Sequence, residues 1–399
     1  MKKNLSLYVH IPFCVHKCAY CDFLSFENRN LTDHMQYITA LCNEISMYKP
    51  FADRYTVKTI YIGGGTPSVL DEVMIESILN TIGNTFQVDR FPEITIEVNP
   101  GTIKYSNLLK YSEYGVNRVS IGMQSADDRI LKNLGRIHNF EQFVEGYNDV
   151  RRAGFKNVNV DIMSGVPGQT IHSFVDTLTR VTELKPEHIS VYSLQVEEGT
   201  PLSKNQELLR LIPDEDTDRQ MYAMTKKVLA ASGYKRYEIS NYSQPGYESR
   251  HNSVYWTGGE YVGFGLGAAS YFKGERFSNI KDIEIYNRIC EDVREAITGN
   301  ADPFKLYESA ASRLRATTET MYVDSRIEEY MFLGLRMMAG VSRKEFRLRF
   351  NKDMYEVYGP VINKYTDEGY METDGDRVWL TDRGIDVSNY ILSDFILDR

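Results

Sequence analysis

The stretch CVHKCAYC, residues 14–21, places three cysteines within eight residues. The chain of 399 residues holds five cysteines, and the other two, Cys42 and Cys290, stand far from this cluster. On a helix the three clustered thiols would share one face and belong to the core, but a preceding proline and polar neighbours indicate a loop. The odd number of thiols argues against a disulfide framework. The cluster therefore points to a metal site.

Three clustered thiols suit two kinds of metal centre. Structural zinc takes four converging ligands, and His10 or His16 would have to supply the fourth. A [4Fe–4S] cluster takes one thiolate for each iron, so three thiols leave one iron open for an exchangeable ligand. The sequence predicts a [4Fe–4S] cluster on Cys14, Cys18 and Cys21, with a Cys₃His zinc site as the alternative.

The first 240 residues alternate short β-rich runs with longer segments of helical spacing. The β-rich runs cover residues 5–10, 57–62, 93–98, 118–123, 157–163 and 188–194. Such alternation is typical of βαβ units and a parallel sheet. It predicts an α/β fold, as either an incomplete (β/α)6-type TIM barrel or an open sheet, and periodicity does not decide between the two.

Polar or glycine-rich segments follow each of the β-rich runs. The cysteine loop follows the first run, and GGGTP, residues 63–67, follows the second. Glu97, Gln124, Asp161 and Gln195 stand at the ends of the later runs. Because the carboxyl ends of parallel strands share one face of a barrel or sheet, these groups are expected to converge with the thiols on one site.

Charge and hydropathy restrict the class of partner and the location. The net charge is −9, and the only dense basic run, residues 342–350, alternates with apolar residues in the manner of a solvated helix face. We therefore expect no nucleic-acid partner. No apolar run approaches the roughly 20 residues of a membrane span. The first residues are interpreted as a strand rather than a signal peptide, which predicts a cytoplasmic protein.

CxxxCxxC directly after the first strand and GGGTP after the second resemble the radical S-adenosylmethionine (radical SAM) superfamily over about residues 5–240. In that superfamily the amino and carboxylate groups of SAM chelate the open iron, and the glycine motif contacts SAM. The resemblance implies a partial β/α barrel with a [4Fe–4S] cluster and SAM as cofactors. Arginine and acidic side chains suit a ligand that carries carboxylate, amino and hydroxyl groups.

Four further segments narrow the resemblance: residues 8–23, 120–125, 134–138 and 161–170. They resemble the branch that contains anaerobic coproporphyrinogen III dehydrogenase. Carried over by position, the resemblance implies that SAM is contacted by Tyr8, Gly64, Gly65, Thr66, Glu97, Gln124, Arg136, Asp161 and Gln195. Gln195 departs from the residue type of that branch.

The motif HNSVYW, residues 251–256, is expected in a tyrosine-rich loop and resembles the HemW family of heme chaperones. This resemblance implies a heme site formed by His251, Asn252, Tyr255 and Trp256, since imidazole is a usual axial ligand of heme iron. The alternative is a structural role in the core. The dehydrogenase has a further cysteine where this chain has Phe23, which favours the chaperone family.

Three regions are expected along the chain. Residues 1–240 form the radical SAM core, residues 241–309 a linker region with HNSVYW, and residues 310–399 a C-terminal HemN/HemW-type accessory domain. The last region is rich in helical spacing and carries a predicted strand pair around residues 370–381, joined by the turn DGD. Helices with such a strand pair predict a winged-helix-like module.

The resemblance implies a heme chaperone that binds heme and a SAM-chelated [4Fe–4S] cluster and transfers heme to an acceptor protein. The alternative is an oxygen-independent coproporphyrinogen III dehydrogenase, which cleaves SAM reductively, and a radical methyltransferase is a further one. The chaperone reading implies no coproporphyrinogen oxidase activity and leaves SAM cleavage open. A homodimer and peripheral contact with membrane hemoproteins are further expectations about partners.

Overall fold

The computed structural model describes residues 2–397, and its first half alternates strands with helices. The strands of this half are β1 (Lys3–Ile11), β2 (Phe13–Cys14), β3 (Phe26–Glu27), β4 (Tyr55–Gly64), β5 (Gln87–Val98), β6 (Arg118–Gln124), β7 (Val158–Ser164) and β8 (His188–Ser193). The helices are α1 (Leu31–Ser46), α2 (Glu72–Thr85), α3 (Tyr105–Glu113), α4 (Asp128–Asn133), α5 (Phe140–Arg152) and α6 (Ile171–Glu183). Each of the six predicted strands is present.

The middle of the chain continues this sheet. It contains α7 (Gln206–Leu209), α8 (Glu215–Ala231), β9 (Lys235–Arg236), β10 (Asn241–Ser243), α9 (Arg250–Trp256), β11 (Tyr261–Phe264), β12 (Ala269–Phe272), β13 (Glu275–Asn279), α10 (Ile283–Thr298), α11 (Pro303–Leu314) and β14 (Arg315–Thr320). Within residues 2–397, twelve strands form one sheet in the order β14-β13-β12-β11-β1-β4-β5-β6-β7-β8-β10-β9. The seven neighbours from β11 to β8 pair in parallel. The end strands β14 and β9 do not pair with each other in the described residues, so the predicted barrel is incomplete.

Each parallel strand alternates apolar and polar residues, and this alternation fixes which face is inside. The apolar residues belong to one large cluster with the helices, as Leu7, Val9 and Ile62 illustrate. The intervening polar residues bond across strands; for example, Thr59 Oγ1 donates to Ser6 Oγ at 2.7 Å. Since side chains of a strand point alternately to opposite faces, the inside of the partial barrel is polar and its outside is apolar beneath the helices.

Residues 241–320 add five strands, β10 to β14, to this sheet instead of forming loops alone. The strands from β11 to β14 make an antiparallel ladder beyond the parallel part. The large apolar cluster extends to Leu314, on α11. The predicted bounds of the three regions, 1–240, 241–309 and 310–399, stay a prediction, and this packing favours grouping residues 241–320 with the core.

The C-terminal part packs around its own apolar cluster, which runs from Ile327 to Phe395. It comprises α12 (Val323–Gly334), β15 (Val341–Ser342), α13 (Arg343–Phe350), α14 (Met354–Asp367), β16 (Met371–Thr373), β17 (Arg377–Leu380), α15 (Asp382–Asp386) and α16 (Ser388–Ser393). The order of its small sheet is β15-β17-β16, and the turn DGD joins β16 to β17 as predicted. None of the helices within residues 2–397 is both long and apolar enough to span a membrane.

Candidate functional site

A cavity of about 400 Å³ opens at the carboxyl ends of the parallel strands. It is large enough for a small-molecule ligand, whose sites typically measure roughly 300–1,000 Å³. Of the residues predicted for the cluster and SAM, its walls include Cys14, Cys18, Cys21, Gly64, Gly65, Thr66, Glu97, Gln124, Arg136, Asp161 and Gln195. Tyr8 is not in the wall, because its hydroxyl turns to the ring of His10 at 2.9 Å.

The glycine turn lets the end of β4 pass close beneath the cysteine loop. Gly65 N donates to Ile11 O at 2.8 Å, which ties the turn to the end of β1. A Cβ at Gly65 would lie 2.6 Å from the carbonyl oxygen of Phe13 and 3.0 Å from Cys14 Sγ. Gly64 has φ +115°, a conformation that side chains disfavour. Any larger residue here would displace the first thiol.

A chain of hydrogen bonds connects two of the three thiols. Thr66 Oγ1 donates to Cys14 Sγ at 3.6 Å and receives a bond from Asn99 Nδ2 at 2.7 Å. Arg136 Nη2 donates to Asn99 Oδ1 at 2.6 Å, while its Nη1 donates to Cys18 Sγ at 3.3 Å. The guanidinium therefore lies directly beside the sulfur of Cys18 and, through Asn99 and Thr66, is linked to the sulfur of Cys14.

The three thiols do not point at one common position in the described part of the chain. No three Cys, His, Asp or Glu side chains within residues 2–397 converge on one point at metal-ligand distance. A cubane spreads its thiolates over different irons, whereas zinc needs converging donors. Both nitrogens of His10 are bonded, one to Tyr8 and the other to Leu24 O, and His16 Nδ1 lies 3.0 Å from Glu27. In this conformation His10 therefore has no free nitrogen for the alternative Cys₃His zinc site, whereas His16 has one nitrogen engaged.

Burial also makes two of the three thiols, those of Cys14 and Cys21, reluctant to ionise without metal. Burial raises the pKa of Cys21 to about 11 and raises that of Cys14 above its ordinary value. Metal binding must displace these protons, as is general for thiolate ligands. The site thus has the donor set of a three-thiolate cluster.

Glu97 is the acidic group nearest the glycine turn. Its Oε1 accepts from Tyr61 OH at 2.7 Å, and its Oε2 accepts from Gly64 N at 3.1 Å. Burial, reinforced by the charge of Asp161, raises the pKa of Glu97 to about 7, and the Tyr61 bond opposes this shift. The carboxylate is held in a fixed position on the cavity wall, where it can accept a hydrogen bond from a ligand's amino or hydroxyl group.

Asp161 lines the same cavity from β7, two strands along the sheet from Glu97, inside a network of polar side chains. Ser120 Oγ donates to its Oδ2 at 3.0 Å and Asn159 Nδ2 donates to its Oδ1 at 2.8 Å. Asn159 Oδ1 in turn lies 2.6 Å from His188 Nδ1. Burial raises the pKa of Asp161, and these donors oppose the shift. These hydrogen bonds hold the Asp161 carboxylate in a fixed position.

Gln124 ends β6 with unusual backbone geometry. Its φ is +70°, a left-handed conformation that costs energy for a residue with a side chain. The pairing of β6 with β7 shifts register between Gly122 and Gln124, which turns the amide toward the cavity. Gln195 follows β8 and lines the same cavity.

HNSVYW forms the short helix α9 rather than the predicted loop, so that expectation is wrong. Glu93 on β5 accepts from the backbone nitrogens of Arg250 at 3.0 Å and His251 at 2.8 Å. The carboxylate therefore holds the amino end of the helix inside the lower part of the barrel. The helix closes the end opposite the cysteine loop.

The four residues predicted for heme do not share one surface. His251 is 1% exposed, with Nδ1 2.8 Å from Thr59 Oγ1 and Nε2 2.9 Å from Tyr255 OH. Its ring lies against Tyr61, with centroids 5.1 Å apart. Because both nitrogens are engaged, this conformation leaves neither free to ligate iron. The heme assignment of His251 stays a prediction.

Trp256 and Asn252 lie elsewhere on α9. The Trp256 ring stacks under the Arg336 guanidinium, 4.7 Å away. The backbone nitrogen of Asn252 donates to Ser249 Oγ, which caps the helix. Tyr255 reaches a second cavity, described below.

Two further residues of the site, Asn99 just after β5 and Tyr61 on β4, were not assigned a role from the sequence. Asn99 is the central member of the bond chain between the two thiols. Tyr61 positions Glu97. Strand alternation was the available signal for Tyr61, since it lies two residues before Gly63 and faces the same side.

Comparisons with known proteins show which family the chain resembles. Residues 8–181 match the family model of the Radical SAM superfamily, and residues 323–387 match the HemN C-terminal domain. The chain is 34% identical to heme chaperone HemW of Lactococcus lactis subsp. lactis (strain IL1403), over 100% of this chain and 99% of that protein. It is 32% identical to heme chaperone HemW of Bacillus subtilis (strain 168), over 98% of this chain and 99% of that protein.

A solved structure gives the same fold. Coproporphyrinogen III oxidase (HemN) from Escherichia coli, described as a radical SAM enzyme, superimposes with a TM-score of 0.83 over 99% of this chain and 90% of that one, at 23% identity. This likeness supports the architecture of a radical SAM core with a C-terminal domain. The near-complete match to the two chaperones assigns the family: the chain belongs to the HemW family of the radical SAM superfamily.

Proposed function

We propose that this protein is a heme chaperone, which binds heme and a SAM-chelated [4Fe–4S] cluster and transfers the heme to an acceptor protein. The observation that carries the proposal is the likeness, along the whole chain, to relatives named heme chaperone HemW. The cavity with its three thiols and fixed carboxylates supports the cofactor part of the proposal.

Cys14, Cys18 and Cys21 would hold three irons of the cluster, and SAM would occupy the fourth. The bound cluster supplies an electron-transfer centre with one iron open to a chelating ligand. Arg136 serves two roles through its own atoms: it donates to Cys18 Sγ and braces Asn99, which positions Thr66 beside Cys14. These contacts fix the positions of the Cys14 and Cys18 sulfurs relative to each other.

The SAM contacts would come from several neighbouring strands that line the cavity. Glu97, fixed by Tyr61, would accept from the amino group or ribose hydroxyls of SAM. Asp161 and Gln124 would offer polar groups from β7 and β6. The glycine turn allows backbone atoms to approach the ligand closely.

The second candidate is an oxygen-independent coproporphyrinogen III dehydrogenase, which the fold likeness to HemN favours. Its substrate carries several carboxylates and needs several cations at the mouth. Arg136 and Lys17 are the basic residues among the described walls of the cavity, and Lys17 Nζ donates to Phe23 O. Phe23 occupies the position of the dehydrogenase's additional cysteine and is 62% exposed at the cavity. The chaperone is therefore the better supported function.

The test is an anaerobic hemin titration of the cluster-loaded chain, followed at the Soret band, and then transfer to an apo-hemoprotein. We expect saturation at about one heme for each chain and delivery to the acceptor. In parallel, coproporphyrinogen III is incubated with SAM and a strong reductant. Decarboxylated product, with no saturable hemin binding, would replace the chaperone by the dehydrogenase.

The cluster ligands are tested by Cys18→Ala, with Cys42→Ala as the matched control on α1. We expect the iron of Cys18→Ala to fall well below the roughly four irons of the reconstituted parent, while Cys42→Ala keeps them. Equal iron in both variants would show that Cys18 is not a ligand.

Location and assembly are proposed on the same basis. We propose a cytoplasmic protein without a nucleic-acid partner, in keeping with its net charge of −9. A homodimer and peripheral contact with membrane hemoproteins also remain proposals. Light scattering, and flotation with liposomes that carry a membrane hemoprotein, test them.

A further inference from the structure

A second cavity, of about 280 Å³, lies at the end of the barrel opposite the thiols, between the β11–β12 ladder and the helices α12 and α13. Its position follows from its walls, since Tyr261 begins β11 and pairs with Ser6 near the start of β1. The aromatic walls are Tyr255, Tyr261, Tyr271, Tyr330 and Phe350.

Four of these rings are packed edge to face in two pairs on the wall of the cavity. Tyr255 and Tyr261 lie 4.7 Å apart at 87°, and Tyr330 and Phe350 lie 5.7 Å apart at 77°. Leu333 adds an aliphatic wall. Such a lining suits a flat aromatic ligand.

Three arginines line this cavity, and they differ in whether a carboxylate of the protein pairs with their charge. Arg276 forms a double hydrogen bond with Glu329, so its charge is matched. Arg349 donates to Thr257 O at 2.7 Å and pairs with Glu345. Arg326 lies 5.8 Å from the Phe350 ring centre, and no ion pair within the described residues includes it.

A neighbouring open cavity of about 940 Å³ shares Tyr271 and Arg326 as walls. Lys2 and Lys3 in its lining face Asp53 and Glu260. Its other basic residues are Arg54 and Lys273, and Lys273 Nζ lies 4.8 Å from the Phe51 ring centre. The lining therefore carries more positive than negative charge, although the whole chain has a net charge of −9.

We propose that the two cavities form one cleft for a flat aromatic ligand that bears carboxylates. The ring lies against Tyr271, Leu333 and Phe350, and Arg326 and Lys273 receive the carboxylates. The inference rests on the proposed function in one respect: heme, with its two propionates, is the ligand of this class that a heme chaperone binds. It places that ligand at the pole of the barrel opposite the SAM cavity.

The test compares the cluster-loaded parent with three variants. The double variant Arg326→Gln/Lys273→Gln removes the two proposed carboxylate partners, and Leu333→Trp fills the aromatic part of the cleft. Arg313→Gln is the control. Arg313, on α11, forms an ion pair with Asp292 on α10, and both side chains are about half exposed. Each protein is titrated with hemin, with metal-free protoporphyrin, and with the dimethyl esters of both. The esters keep the ring and lack the charges.

We expect the parent to bind the free acids at least about tenfold more tightly than the esters. The double variant loses that preference but still binds the esters, which shows that it is folded. Leu333→Trp weakens acids and esters alike, and Arg313→Gln behaves as the parent.

The outcomes separate this inference from the proposed function. If the parent binds hemin saturably and the double variant keeps the full preference for acids, the cleft is wrong while the chaperone stands. If hemin does not bind but protoporphyrin binds with the expected variant effects, the cleft stands and the chaperone fails. If neither binds, both proposals are overturned.

Discussion

Replacing His251 by glutamine tests whether the imidazole is held neutral inside the barrel. Thr59 Oγ1 donates to Ser6, so His251 Nδ1 must donate to Thr59, which leaves Nε2 to accept from Tyr255. This is the neutral tautomer. Burial, with a smaller contribution from the charge of Arg118, lowers the pKa of His251 to about 3.

The magnitude follows from proton linkage. Between pH 7.5 and 5.5 the folded His251 stays neutral, while the unfolded side chain, with an ordinary pKa of about 6.5, takes up nearly a full proton. A base whose folded pKa is lowered makes the protein less stable as pH falls through the unfolded value. The parent therefore loses about 1.4 kcal/mol of unfolding free energy through this residue over that interval, and the glutamine variant does not.

The assay is urea unfolding followed by the fluorescence of Trp256, which lies on the same helix as His251. A Trp379→Phe background, with and without His251→Gln, removes the second tryptophan. We expect glutamine to destabilise the protein at pH 7.5 and this gap to narrow by about 1.4 kcal/mol at pH 5.5. Other histidines contribute equally to both proteins and cancel. An unchanged gap at the two pH values would refute the neutral, buried imidazole.

Three other substitutions probe the site and its support. Gly65→Ala puts a methyl group 3.0 Å from Cys14 Sγ, and iron analysis should find well under half the parent's cluster content with unchanged circular dichroism; full iron would disprove the close approach. Glu97→Gln should weaken SAM binding at least about tenfold in equilibrium dialysis, and unaltered affinity would exclude it as a contact. Glu93→Gln removes one acceptor of α9 and should cost about 1–3 kcal/mol in urea unfolding, whereas an unaffected midpoint would mean that the helix is held by packing alone.

The parallel core was predictable because its signals are local. Strands such as β7 combine β-branched residues with period-two alternation, and each ends in a polar group or a glycine turn. Since the carboxyl ends of parallel strands share one face, the convergence of Cys14, Glu97 and Asp161 followed from topology alone. The bonds among them did not, since Asn99 and Arg136 meet through folding and not through spacing.

The middle of the chain was less predictable because long-range contacts decide its structure. Helix α9 has seven residues, too few to be stable in isolation, and its amino end is fixed by Glu93, which stands over 150 residues earlier. The strands from β11 to β14 are only four to six residues long, so each is hard to distinguish from a loop until an existing sheet offers it an edge. The motif HNSVYW could be recognised in the sequence, but the sequence did not predict which way its side chains would point.

Polar and aromatic side chains inside the barrel connect the SAM cavity at one end with the proposed cleft at the other. Tyr255 borders the lower cleft and bonds to His251, whose ring lies on Tyr61, and Tyr61 donates to Glu97 in the SAM cavity. Binding free energies around a closed cycle must sum to zero. Whatever factor a ligand beside Tyr255 imposes on the affinity for SAM, SAM imposes the same factor on that ligand. The free energy that couples the two sites is then one quantity. It can be measured from the effect of SAM on the ligand or from the effect of the ligand on SAM.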